Sequence, residues 1–203
     1  MPDTNDIGAV EIDALTEAGN IGAGHAATSL SKLLRENVMN NSTRSMLLRL
    51  DKVPEALGGA EKAMAGIYAS FSGELKGSVL MLFPEESVKT LFRLLGNCEL
   101  EKHSLDEYQD SLLSEVGNIC LCWYLSAISK MIDVEIMPCV PVAAYDMAGA
   151  VIDLALIRMG MVSDRALLVL TDFKGEINEI HGAFLMMLEP ESQKLLAQRL
   201  GVA

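Results

Sequence analysis

The sequence predicts an α+β fold: a pseudo-two-fold single domain with a mainly antiparallel sheet of about six strands. Two long helices and several shorter ones pack on that sheet. Three observations carry the prediction. The chain has 203 residues, 50% of them hydrophobic and 5% aromatic, which suits one core of ordinary globular composition. One segment occurs twice. Each copy is then followed by the same series of strand-like runs and a proline-led helix.

The repeat aligns without a gap at an offset of 98: residues 11–34 read EIDALTEAGNIGAGHAATSLSKLL and residues 109–132 read QDSLLSEVGNICLCWYLSAISKMI. Glu17-Ala18-Gly19-Asn20-Ile21 matches Glu115-Val116-Gly117-Asn118-Ile119, and Ser31-Lys32 matches Ser129-Lys130. The middle diverges, with small residues in the first copy and bulky ones in the second. Both copies read as long helices too apolar to stand alone.

The first half spans residues 11–96. Met46–Leu50, Met64–Phe71 and Leu75–Phe83 read as strands, the last two joined by a turn near Ser72-Gly73. Pro84 then opens a helix with Glu85 and Glu86 in its first turn, where acids suit the dipole, and Gly96 ends it. Lys102–Tyr108 links the halves. In the second half, residues 109–201, Val134–Val140 reads as a strand whose Pro138 points to an edge or a bulge. Met147–Met159 reads as a short extra helix. Ala166–Asp172 and Ile177–Leu188 follow, separated by a turn at Lys174-Gly175, and a last helix runs from Pro190 to Gly201. Each half alone offers a three-stranded, poorly covered sheet. One sheet shared by both halves is the simpler solution, so residues 1–203 read as one domain.

Composition removes several function classes. A formal net charge of -12 and the lack of any basic patch argue against nucleic-acid binding. The opening MPDTNDIGAVEIDAL carries acids and no basic stretch, which predicts no signal peptide. Ile119–Ile128 is apolar but short and is followed by Lys130 and Asp133, so no membrane span is expected. Cys98, Cys120, Cys122 and Cys139 form no C-x-x-C pair and read as reduced thiols of a cytoplasmic protein. On a helix, Cys120 and Cys122 point about 200° apart. His25, His103 and His181 are scattered, so no metal site is expected. The glycines of Gly19–Gly24 stand in the wrong order for a nucleotide loop and follow no strand. Close helix packing is the plainer reading of them. The 12 methionines form no helical stripe and read as core filling.

What the two copies keep is more telling than what they lose. Packing alone preserves apolar residues; here an acid and an amide are preserved. Glu115 and Asn118 share one helix face with Ser111, and Asp13, Glu17 and Asn20 form the matching row. Asn is a weak helix former, so its recurrence needs a cause other than helix propensity. A merely solvated face, or a duplication with little divergence since, would also leave such rows. A carboxamide can accept one hydrogen bond from water while donating another, and a carboxylate can anchor a lysine.

The pattern Asp/Ser-x-x-x-Glu-x-x-Asn, with proline 23 residues after the Asn, resembles the signature of the CheC/CheX/FliY phosphatase family. The second copy fits throughout, with Ser111, Glu115, Asn118 and Pro141; the first has Asp13, Glu17 and Asn20, with Thr43 in the proline position. The run EAGNIGAGHAATSLSKLL is similar to the family's stretch, with His25 where Asn is more usual. The resemblance extends over nearly the whole chain, including AYDMAGAVID.

It implies a cytoplasmic hydrolase acting on the aspartyl phosphate of a phosphorylated CheY-type response regulator. It implies no cofactor in this chain, the Mg²⁺ belonging to the regulator. Asn118 and Asn20 would orient the attacking water, and Glu115 and Glu17 would bind the regulator's active-site lysine. Ser111 and Asp13 would support them, and Pro141 would set the chain's exit beside the site. The resemblance also implies two alternatives. One is a non-catalytic or weakly catalytic adaptor binding CheD, for which Pro190–Leu200 and its neighbouring strand are the candidate contact. The other is a flagellar-switch component like FliY, which carries a further C-terminal domain where this chain ends at Ala203.

Overall fold

The computed structural model describes residues 9–96, 98–100, 104–159, 165–174 and 179–199. The first half runs α1 (Ala9–Leu34), β1 (Met39–Arg49), a 3-10 turn (Leu50–Lys52), the single-turn helix α2 (Val53–Ala56), β2 (Ala63–Gly73), β3 (Gly77–Pro84) and α3 (Glu85–Gly96). The second runs α4 (Glu107–Ile132), β4 (Ile136–Pro138), β5 (Val142–Met147), α5 (Ala148–Met159), β6 (Arg165–Lys174), β7 (Glu179–Leu188) and α6 (Pro190–Arg199).

These strands form a 7-stranded sheet in the order β1-β6-β7-β3-β2-β4, with β5 also on β2, and every pairing is antiparallel. The order exposes the pseudo-symmetry. The outer strand of each half pairs with the second strand of the other: β1 with β6, and β4 and β5 with β2. The third strands, β3 and β7, meet in the middle, and the axis runs between them.

Several bounds differ from the sequence reading. The strand expected at Met46 begins at Met39. The β2 strand runs on to Gly73, whose φ of 116° starts the turn, so the hairpin bend lies at Glu74–Lys76. A side chain at Gly73 would strike the Glu135 carbonyl. The stretch expected as one strand at Val134–Val140 is β4 alone, and β5 follows as an unexpected strand. Both lie on the same edge of β2. Pro138 pairs with Phe71 and Val142 with Tyr68, so one extra residue is inserted at Cys139–Pro141. Pro138 thus sits on an edge beside a bulge. The β1 strand has its own irregularity between Asn40 and Ser42, the matching place in the first repeat. The turn at Lys174-Gly175 and the end of the last helix at Gly201 lie in part outside the described residues.

Helices cover both faces of the sheet. On one, α1, α3, α4 and α6 bury Leu30, Phe92, Leu121 and Leu196 against Ile67, Met81, Phe83, Val169 and Phe184. On the other, Val53, Val151 and Ile152 cover Met64, Leu80, Leu82, Leu168 and Met187. Alternate residues of β3 serve the two clusters, which is why that central strand reads as an unbroken apolar run. Met64, Met81, Met186 and Met187 fill the core as expected, whereas Met39, Met137 and Met147 are exposed.

Helix α4 begins with a capping box: the Asp106 carboxylate accepts from the Gln109 backbone N–H (2.8 Å), and the Gln109 side chain accepts from that of Asp106 (3.0 Å). Among the described residues, this helix is long and apolar enough to cross a membrane, but half of its apolar window is buried in the fold. Leu113, Val116, Leu121, Tyr124 and Ile128 spend that hydrophobicity on the core.

Candidate active site

The helices α1 and α4 lie side by side and antiparallel on the sheet. Gly22 of α1 takes the ring of Tyr124, which would stand 2.7 Å from any Cβ there. Further along, His25 stacks on Trp123, with centroids 5.7 Å apart and planes within 2°. These two positions are repeat equivalents, so the ring pair sits on the pseudo-two-fold axis. The divergence in the middle of the repeat follows from this. Across an axis each position faces its own counterpart region, and Gly22, Ala23 and Ala26 leave the space that Leu121 and Tyr124 fill. Tyr124 in turn stacks on Phe184 (4.4 Å).

The glycines of the repeated motif face the sheet. A Cβ on Gly19 would meet Val169 at 3.2 Å, and one on Gly117 would overlap Ile67. Val169 and Ile67 occupy corresponding places on β6 and β2. This close approach turns the neighbouring acid and amide outward. Glu17, Ser111, Glu115 and Asn118 are exposed and Asn20 is half-buried, while Val116 and Gly117 between Glu115 and Asn118, and Cys120 just beyond, are buried. Acid and amide three residues apart have Cβ atoms about 5–6 Å apart on the helix surface. The structure therefore brings Glu17 with Asn20, and Glu115 with Asn118, onto one face at either end of the helix pair. Asp13 lies on α1 and Thr43 on β1, with side chains outside the described part.

Two features that the sequence reading missed, and one that it named, distinguish the two ends. The Cys122 thiol donates to Oδ1 of Asn118 (3.7 Å), and burial raises its pKa, which keeps the proton on sulfur. Its repeat equivalent is Gly24, where a Cβ would meet nothing within 4 Å. Arg35 ends α1 in the left-handed region (φ 53°) and shares a hollow of about 420 Å³ with Glu115, Leu112 and Leu95. Its equivalent, Asp133, ends α4 in the same conformation (φ 51°) but carries the opposite charge. Pro141 is buried in the bulge between β4 and β5, against which α4 packs. The offset of 98, followed beyond the motif, would have flagged the first two, as it did the third.

The site offers carboxylates and amides without a nucleophile–base pair among the described residues. Among the described residues, no group of three His, Cys, Asp or Glu side chains could hold a metal ion. His181 and Asp172 do pair (2.7 Å), but they line a hollow with Met64 and Leu82, on the sheet face away from α1 and α4.

Residues 10–38 match the model of the CheC-like family. The chain is 31% identical over 204 residues to the CheY-P phosphatase CheC of Bacillus subtilis (strain 168), covering 98% of each. Its fold is similar to that of FliY from Thermotoga maritima, with a TM-score of 0.73 at 17% identity, covering 97% of this chain and 99% of that one. A further similar structure is the CheX–CheY–BeF3–Mg complex from Borrelia burgdorferi, with a TM-score of 0.50 at 14% identity, covering 88% and 99%.

Proposed function

The chain belongs to the CheC-like family, and from that premise we propose that it hydrolyses the aspartyl phosphate of a phosphorylated CheY-type response regulator in the cytoplasm. One observation carries the reading: an acid and an amide stand one turn apart on the outward face of both long helices, all exposed but the half-buried Asn20, each pair held out by a glycine pressed on the sheet.

The regulator would bring the phosphoryl group and its own Mg²⁺, which would neutralise charge on the phosphoryl oxygens. This chain adds position. Glu115 or Glu17 pairs with the regulator's active-site lysine and fixes the register. Asn118 or Asn20 enters the pocket, and its carboxamide holds a water in line with the bond to be broken. Water oxygen bonds to phosphorus, the phosphorus–oxygen bond to aspartate breaks with its electron pair staying on the carboxylate, and the water's two protons leave with the phosphate, which exchanges one with solvent. Ser111 and Asp13 support these rows, and Pro141 fixes the strand exit beside α4.

The test is phosphate release from phosphorylated CheY. The Asn20→Ala/Asn118→Ala double variant is expected to leave only the regulator's own rate; full activity in it would falsify the reading. Glu115→Ala in the Asn20→Ala background weakens association by about 1.5–3 kcal/mol if a charge-assisted bond is lost.

The second reading is an adaptor for CheD or a flagellar switch component. It draws on the exposed apolar residues of the outer edge, Met137, Val140 and Val142. It takes precedence if the wild-type chain does not accelerate release.

A further inference from the structure

We infer that the two sites exclude one another, so that the chain holds one phosphorylated regulator at a time, at either end of the α1–α4 face. This rests on the phosphatase reading above and concerns how its two sites share a surface.

Distance is the first argument. Gly22 lies against Tyr124 and His25 against Trp123, so Asn118 faces the stretch of α1 around Ser29. At about 1.5 Å per residue along the helix and roughly 8–10 Å between packed axes, Asn20 and Asn118 stand about 16 Å apart. A standard interface covers about 800 Å² per partner, a disc of roughly 16 Å radius, and a small transient one of ~500 Å² still reaches about 13 Å. Two such discs, centred about 16 Å apart, overlap over the axis.

Chemistry is the second argument, because it says which way each footprint extends. The apolar ground on this face lies inboard, between the two rows: Ile21 is 38% exposed, Trp123 is 41% exposed, and His25 stacks on the latter. Outboard of Glu115 stand the polar and acidic Ser111, Asp110 and Glu107. Tyr108 is exposed there too, but it leans on Gly96 at the end of α3, 3.2 Å from where a Cβ would sit. Interfaces place their apolar, well-packed part at the centre and polar groups at the rim. A regulator at either site therefore draws on the same Ile21, His25 and Trp123, and the axis turns one footprint onto the other.

A kinetic consequence follows. At saturation, turnover is the occupancy-weighted mean of the two sites and not their sum. The second site raises the chance of capture rather than the maximal rate.

The test uses regulator locked by beryllofluoride and Mg²⁺, with stoichiometry read by titration calorimetry and sedimentation. One regulator per chain is expected for the wild type and for each single-site variant, Glu17→Ala/Asn20→Ala and Glu115→Ala/Asn118→Ala. The saturated kcat of the wild type should lie between those of the two variants. Trp123→Ala should weaken binding at least about fivefold in both single-site backgrounds, as loss of a central aromatic contact does. Two regulators per chain, a wild-type kcat equal to the sum, or a Trp123 effect confined to one site would each overturn the exclusion and leave the phosphatase assignment standing. No binding by the wild type would overturn the phosphatase assignment, undiminished hydrolysis when all four residues are changed would overturn the assignment of the two sites, and either would take the exclusion with it.

Discussion

The two long helices carry the same row of acid, glycine and amide, yet their surroundings have parted. Around Asn118 stand a thiol bonded to its amide, an arginine in the hollow of Glu115, a capping box at the helix start and a buried proline in the neighbouring bulge. In the matching places around Asn20 the chain has Gly24, Asp133 and Thr43. The helices also meet each other across one axis, and there identity is a handicap. Two tyrosines cannot share the space at Tyr124 and Ala26, and two alanines would leave it empty. A duplicated pair of helices packs best when one copy becomes small and the other large, while the outward residues, free of that demand, stay alike.

The largest test of this comparison is activity. Asn20→Ala/Asn118→Ala should lower kcat/KM for CheY dephosphorylation by at least about 10²-fold, down to the regulator's own rate. Of the single variants, Asn118→Ala should remove the greater part, because its site has the fuller support. A larger loss from Asn20→Ala would reverse the ranking of the two ends.

Stability sharpens it next. Gly117→Ala places a methyl onto Ile67, whereas Gly19→Ala meets Val169 at 3.2 Å. Overpacking costs about 1–3 kcal/mol, against a gain of about 1 kcal/mol for replacing a helical glycine by alanine. Thermal melts should show Gly117→Ala destabilised and Gly19→Ala near neutral; equal effects would mean that the helices do not sit on the sheet as described. Asp106→Ala removes a cap worth about 1 kcal/mol, and should lower Tm by about 2–4 °C. The smallest effect belongs to Cys122→Ala, measured in the Asn20→Ala background. The kcat of the α4 site should fall two- to threefold, a modest loss fitting one weak thiol hydrogen bond, and Cys122→Ser should restore it.

The alignment of residues 11–34 with 109–132 was enough to expect shared halves, a pseudo-two-fold sheet and outward-facing rows. Those features depend on local periodicity and on a repeat long enough to align. Less local features escaped. The β5 strand follows two prolines and a one-residue bulge, so its register depends on β2, far off in sequence. The pairing of His25 with Trp123 depends on helix packing that no single segment specifies, and the bond of the Cys122 thiol to Asn118, four residues apart on α4, depends on side-chain rotamers. Asn20 and Asn118 were legible as counterparts because the repeat aligns them at an offset of 98; the ground between them was not.

The exchange of outer strands has a consequence for how this molecule could be divided. Neither half owns the edge of its own sheet: β1 completes the second half and β4–β5 the first. Cutting the chain between α3 and α4 would therefore yield two pieces that need each other, and recovery of structure would become bimolecular. Diluting such a nicked protein should dissolve the fold and both sites together, since association and folding would then be a single mass-action equilibrium.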